Sequence, residues 1–241
     1  MIFLENIVLR YAKGKEDIMD FKGKKIAFLG DSITEGTGVG HGDCPLRYDM
    51  RLKASLGLAR VFNYGIGGTR LAHQSKPSDK PRYDLCFCGR VYDIDPSADA
   101  VVVYGGTNDY GHGDAPFGTK EDTTPATYMG AVRFLMDFLT TEFAGKPIVF
   151  LTPARRNGDE GVYTLHQAGN PNARPLLPYV DAIHEIAEEY ENVHVLDLYR
   201  EMNVNPNLAE HRDAYAPDGL HFNAEGHAII AKLLEALLVS L

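Results

Sequence analysis

The sequence predicts an α/β fold, a three-layer α/β/α sandwich on a five-stranded parallel sheet, and two patterns predict it. Short apolar, β-branched runs recur at Lys25–Leu29, Val61–Tyr64, Ala100–Tyr104, Pro147–Thr152 and Val193–Leu198. Near-continuous apolarity marks strands buried on both faces, as in a parallel sheet covered by helices on each side. Helical periodicity fills the intervals at Leu46–Leu58, Pro125–Phe143, Leu177–Tyr190 and Ala224–Leu238, the last with Asn223 as N-cap. Alternating β and α segments close through right-handed crossovers into one layered unit. No internal repeat or linker divides it, so a single domain is expected over 21–241, preceded by a semi-apolar N-terminal arm over 1–20.

The strand ends carry the chemistry, because an open α/β sheet presents its ligands there. The first strand breaks into Gly30-Asp31-Ser32-Ile33-Thr34-Glu35-Gly36. Asp31-Ser32 suits a plain helix cap. It equally suits a nucleophilic Ser32 at a helix start, where backbone N–H groups face developing negative charge. The second strand ends in Asn63-Tyr64-Gly65-Ile66-Gly67-Gly68-Thr69. Its glycines fit a tight turn, or a backbone N–H at Gly68 aimed at an oxyanion. The third ends in Tyr104-Gly105-Gly106-Thr107-Asn108-Asp109. Asn108 there is either a turn residue or a neutral side-chain donor to the same oxyanion.

Two connections, Ala72–Ser97 and Ala154–Leu176, are long and polar, as segments that set specificity often are. Between the fifth strand and the final helix lies Asp218-Gly219-Leu220-His221. A three-residue separation lets the carboxylate reach Nδ1 and leave Nε2 free to take a serine proton. Of the nine histidines, His227 is the rival, but it falls inside the last helix on a packing face.

Composition narrows the partners. A formal net charge of −9 argues against nucleic acid or an anionic membrane surface. Three cysteines, Cys44, Cys86 and Cys88, are too few for a disulfide framework, and Cys86-Phe87-Cys88 lacks the second pair of a zinc site. They read as idle thiols. No early apolar segment has the form of a secretory signal, and no run reaches the ~20 residues of a membrane span, so a cytoplasmic location is the expectation. The sequence leaves the oligomeric state open.

Together, Gly30-Asp31-Ser32, Gly68 after Asn63, Gly106-Thr107-Asn108-Asp109 and Asp218-x-x-His221 resemble the four blocks of the SGNH (GDSL-type) hydrolase superfamily, in family order from residue 30 to 221. The resemblance implies a flavodoxin-like sandwich of strand order 2-1-3-4-5. It makes Ser32 the nucleophile, His221 the base and Asp218 its orienting carboxylate. The Ser32 N–H, the Gly68 N–H and the Asn108 side chain would form the oxyanion hole. No metal or organic cofactor is needed. The Gly-x-Ser-x-Gly elbow of α/β-hydrolases is missing, the spacing at Gly36–Gly40 fails the dinucleotide pattern at His41, and a flavin phosphate at Ser32–Thr37 would leave Asn108 and His221 unexplained.

The loops near the expected site are polar or charged: His41-Gly42-Asp43, Tyr110-Gly111-His112-Gly113-Asp114 and Arg155-Arg156-Asn157-Gly158-Asp159. They favour removal of a small acyl group, acetyl foremost, from a carbohydrate-like ester. Lysophospholipase or thioesterase chemistry and a non-catalytic glycan-binding module are the alternatives. Arg155 and Arg156 are candidates for binding a sugar or an anionic group, or simply for solvated loop charge.

Overall fold

All five apolar runs are strands. In a computed structural model, which describes residues 19–161 and 174–241, they are β1 (Lys25–Gly30), β2 (Arg60–Gly65), β3 (Ala100–Tyr104), β4 (Ile148–Leu151) and β5 (Val193–Leu196). Every pairing is parallel and the order is β2-β1-β3-β4-β5, as expected. Helices α1 (Ser32–Glu35), α2 (Tyr48–Leu56), α3 (Phe87–Arg90), α4 (Thr107–His112), α5 (Tyr128–Glu142), α6 (Leu177–Ala187), α7 (Leu198–Glu201), α8 (Ala209–Tyr215) and α9 (Ala224–Val239) fill the connections. Of the arm expected over 1–20, residues 1–18 lie outside the described residues.

Strand alternation explains why both faces are apolar. Ala27, Leu29, Val101, Val103 and Phe150 point into one core, shared with Phe87 of α3, Leu135 of α5 and Ile183 of α6. Ile26, Phe28, Val102 and Val149 point into the other, shared with Leu52 of α2 and Leu234 of α9. With period 2 along each strand, a sheet sandwiched between helices needs apolar residues at successive positions.

Local chemistry trims the helices. Thr127 accepts from the Gly130 N–H, so α5 starts at Tyr128 rather than at Pro125. Gly57, at φ +64°, closes α2 at Leu56. The segment Ala72–Ser97, expected as a polar loop, instead holds 3₁₀ turns at Pro81–Asp84 and Val91–Asp93 around α3. Phe87, Cys88 and Val91 recur at helical spacing and bury themselves against the sheet. Within Ala154–Leu176, residues 162–173 lie outside the described residues. Among the described residues no helix is long and apolar enough to cross a membrane.

The end of β2 packs directly on α1. A Cβ at Gly65 would lie 2.2 Å from the Glu35 backbone nitrogen, whereas one at Gly161 would meet only the Gly158 carbonyl oxygen, at 3.7 Å. Gly65→Ala is therefore expected to cost about 1–3 kcal/mol through overpacking, and Gly161→Ala less than about 0.5 kcal/mol. Urea denaturation of the two variants checks this; equal midpoints would contradict the close packing.

Candidate active site

Sheet register assembles the site. Gly30 of β1 stands opposite Gly65 of β2 and Tyr104 of β3, so three strands release their chains in one layer. From β1 the chain enters α1 through Asp31, whose side chain caps the helix by accepting from the Ile33 N–H at 3.0 Å. Ser32 follows as the first helical residue. Its hydroxyl lies 2.9 Å from His221 Nε2, and His221 Nδ1 lies 2.6 Å from Asp218 Oδ2. Asp218 Oδ1 also accepts from the Leu220 and His221 N–H groups, at 2.9 and 2.7 Å. Partial burial works to raise the Asp218 pKa, but the His221 side-chain bond and these backbone bonds outweigh it and hold the carboxyl below its ordinary value. A carboxylate so held stabilises a cationic imidazole, and the geometry permits proton transfer from hydroxyl to Nε2.

The other two strand ends face the same hydroxyl. A cavity of about 540 Å³ is bordered by Ser32, His221, Gly68 and Asn108. Gly68 adopts φ +79°, and a Cβ there would lie 2.0 Å from the Tyr83 ring, so close packing and backbone conformation both require glycine. Asn108 donates through Nδ2 to the Thr69 carbonyl at 2.9 Å and lies 3.5 Å from Asp31 Oδ2. Ser32, in the first turn of α1, has an N–H without an intrahelical partner. The structure thus brings together all five residues singled out in the sequence: Ser32, Gly68, Asn108, Asp218 and His221.

His227 is elsewhere. It is fully buried in α9 with its ring stacked on Tyr48, and its Nδ1 accepts from the Tyr48 N–H. Desolvation, reinforced by nearby Arg47 and Arg51, pushes its pKa down to about 3, so it stays neutral.

Of the three polar segments, only parts reach the cavity. His41, Gly42 and Asp43 border a different depression beside Arg47 and Asn63. Tyr110-Gly111-His112 is helical, not a loop. Gly111 and His112 border the cavity, whereas Asp114 turns away to accept from Ser75 and Lys76. Residues not anticipated there come from the segment between Ala72 and Ser97: Lys80, Arg82 and Tyr83. Glu35, one turn after Ser32, also enters, accepting from the Gly67 N–H at 2.7 Å and pairing with Arg82. The length and polarity of the Ala72–Ser97 connection were the sequence signal for these residues, and they specified neither which side chains enter nor their direction.

Two buried carboxylates stand behind the site. Asp109 accepts from the Leu71 and Ala72 N–H groups, at 2.9 and 3.1 Å, fastening the β2 exit to α4. Desolvation raises both Asp31 and Asp109 to about 6, despite hydrogen bonds and nearby arginines that lower them. The fold therefore favours their protonated forms. That contribution is fully present below about pH 4 and is lost as pH rises through about 6. Asp31→Asn keeps a capping acceptor and removes the charge. Relative to the parent, it is expected to gain on the order of 2 kcal/mol between pH 4 and pH 7. Denaturant titrations at the two pH values measure this, and a pH-independent difference would refute the shift.

Comparison with known proteins follows the same lines. The sequence matches the model of the GDSL-like lipase/acylhydrolase family over residues 28–229. No curated protein matches the chain. A crystal structure of a Lactobacillus plantarum protein is 29% identical, with TM-score 0.75 over 90% of this chain and 97% of that one. A lipase/acylhydrolase from Enterococcus faecalis is 21% identical (TM-score 0.56, 88% and 93% covered). A carbohydrate acetylesterase family member from Sinorhizobium meliloti is 19% identical (TM-score 0.56, 89% and 97% covered). These last two share the fold. The family match spans all four motif blocks, and the chain belongs to the GDSL-like lipase/acylhydrolase family, hydrolases that act on esters.

Proposed function

We propose that this protein is a serine esterase that removes small acyl groups, acetyl foremost, from a carbohydrate-like alcohol. The observation that carries the reading is the hydrogen-bonded series Ser32–His221–Asp218 opening into the cavity at the sheet's carboxyl edge. In this reading Ser32 Oγ attacks the ester carbonyl while His221 Nε2 takes its proton. The carbonyl oxygen becomes an oxyanion held by the Ser32 and Gly68 N–H groups and the Asn108 amide. The alcohol leaves with the proton from His221, giving an acyl-enzyme. Water, deprotonated by the same imidazole, then releases the acid and restores Ser32.

The lining supports a short acyl group. Leu220 is the one aliphatic side chain among the described residues bordering the cavity, whereas Lys80, Arg82, Arg156 and His112 are polar or cationic. A long hydrocarbon chain needs a broad apolar surface to repay its transfer from water. Hydrolysis of 4-nitrophenyl acetate should exceed that of the octanoate in kcat/KM, and a serine-directed phosphonate should label Ser32 and abolish both activities. Ser32→Ala is expected to lower kcat by at least ~10⁴-fold if the three residues act as a unit. Preference for the octanoate would favour a lysophospholipase-like or thioesterase-like enzyme. Absence of turnover and labelling would favour a glycan-binding module.

Glu35 is a positioning residue in this scheme, because its Oε2 fixes the Gly67 N–H beside the Gly68 donor. Glu35→Ala is expected to lower kcat by about 10-fold or more with little change in KM, consistent with partial loss of one oxyanion donor. Glu35→Gln, which retains the acceptor, should recover most of it. Equal kcat in the two variants would remove Glu35 from this role.

A further inference from the structure

Arg155 and Arg156 are indistinguishable as neighbouring loop cations, yet the fold gives them opposite environments. Arg155 is consumed by carboxylates: its Nε and Nη2 donate to Asp159 at 3.0 and 3.3 Å, and Nη2 also meets Glu160. Its guanidinium lies over Tyr199, outside the cavity that holds Ser32. Arg156 turns the other way and borders that cavity.

Arg156 is held as a fixed group. The residue is only 7% exposed, its guanidinium lies over the Tyr110 ring at 5.5 Å, and Nη1 donates to the Thr107 carbonyl and hydroxyl, each at 3.2 Å. A Cβ on Gly111 would lie 3.0 Å from Nη1, so the bare glycine leaves the guanidinium its place. The next residue is tied to the histidine turn, since the Asn157 N–H donates to the Gly219 carbonyl at 2.8 Å. That backbone bond anchors the segment carrying Arg156 to the turn carrying His221, while the Thr107 and Tyr110 contacts hold the guanidinium itself.

A second cation stands on the Tyr83 side of the cavity. Lys80 Nζ lies 3.3 Å from the Tyr83 hydroxyl, and the Tyr83 ring packs against Gly68. The lone carboxylate on the described border, Glu35, is committed to Arg82 and the Gly67 N–H. The described border of the cleft is therefore cationic, with the buried Asp31 carboxyl behind it as the acid that Arg156 feels, in a chain whose formal net charge is −9. A fixed guanidinium recognises carboxylate and phosphate oxygens through paired N–H donors, and an ammonium supports it as a point charge.

Resting on the reading of Ser32 as an ester-cleaving nucleophile, we propose that the alcohol part of the substrate carries an anionic group, a carboxylate or phosphate, received by Arg156 with Lys80. The substrate class narrows to acylated sugar acids or sugar phosphates rather than neutral sugar acetates.

The test compares 4-acetoxyphenylacetate with its methyl ester, whose leaving oxygens are insulated from the charge by a methylene, and adds 4-acetoxybenzyl phosphate. For the parent enzyme at low ionic strength, kcat/KM should favour at least one anion over the neutral ester by about 10-fold or more. Added KCl should shrink that preference. The anion-to-neutral ratio should fall at least about fivefold in Arg156→Gln, and by a smaller factor in Lys80→Gln, whose exposed side chain tolerates replacement. Carboxylate against phosphate preference identifies the group. Equal kcat/KM for charged and neutral probes, or a ratio preserved in both variants, would overturn the proposal while leaving the esterase reading intact. Calorimetric binding of the same probes to the Ser32→Ala protein gives a readout independent of turnover. Tighter anion binding that weakens in Ser32→Ala/Arg156→Gln supports the site even if no probe is hydrolysed, and unchanged or absent anion binding refutes it.

Discussion

Parallel pairing of β1 with β2 on one side and β3 on the other is the constraint on which the site depends. Gly30, Gly65 and Tyr104 sit in one register layer, so the chain leaves all three strands at the same height. Helices cover opposite faces beyond that edge, and the crevice between the diverging connections is where an open α/β sheet receives ligands. Displacing any of these strands by one residue would move its exit loop and reverse its buried faces. Ser32, Gly68 and Asn108 are near one another because the hydrophobic cores on both sides forbid that slip.

Buried charge holds the exits in place. Arg90 of α3 donates to the Tyr64 carbonyl at 2.6 Å, to the Gly30 carbonyl at 3.1 Å and to Thr69 Oγ1 at 3.0 Å. It therefore ties the ends of β1 and β2 to the glycine turn. Desolvation lowers its pKa to about 10, which still leaves it charged near neutrality. Asn63 plays a similar part, donating to the Thr34 carbonyl and to Asp49, while Asp49 is paired with buried Arg47. Such groups carry a desolvation cost that apolar residues would not. What they supply is directional: carbonyls at the strand ends gain charged or amide donors in one geometry, the Gly30 carbonyl in addition to the Ile66 N–H it already accepts from. The neighbouring Asp31 illustrates the division, since it caps α1 from beneath Ser32 without touching the His221 side of the hydroxyl.

The strands were legible because burial on both faces leaves a continuous apolar signature, and the four motif blocks because each depends on short-range chemistry. Asp218 reaches His221 across a three-residue turn, a distance that sequence spacing expresses directly. Segment 72–97 was read less well. Its polar residues conceal a buried helix around Phe87, and its short 3₁₀ turns have too few residues for a periodic signal. The polarity of His41-Gly42-Asp43 was read correctly, but polarity carries no direction, and the segment borders another depression.

Local patterns were enough for the layered parallel fold, for Ser32 with the four residues gathered near it, and for the resemblance to ester hydrolases. These follow from patterns whose physical range is a few residues or one strand. Which charges surround the Ser32 hydroxyl depends on long-range packing. Adjacent Arg155 and Arg156 part company because Asp159 and Glu160 satisfy one, while Thr107 and Tyr110, far away in the chain, hold the other at the cavity. Glu35, Lys80 and Tyr83 enter by the same kind of long-range packing. The direction of a side chain depends on what the fold places beside it, and a local pattern does not contain that information.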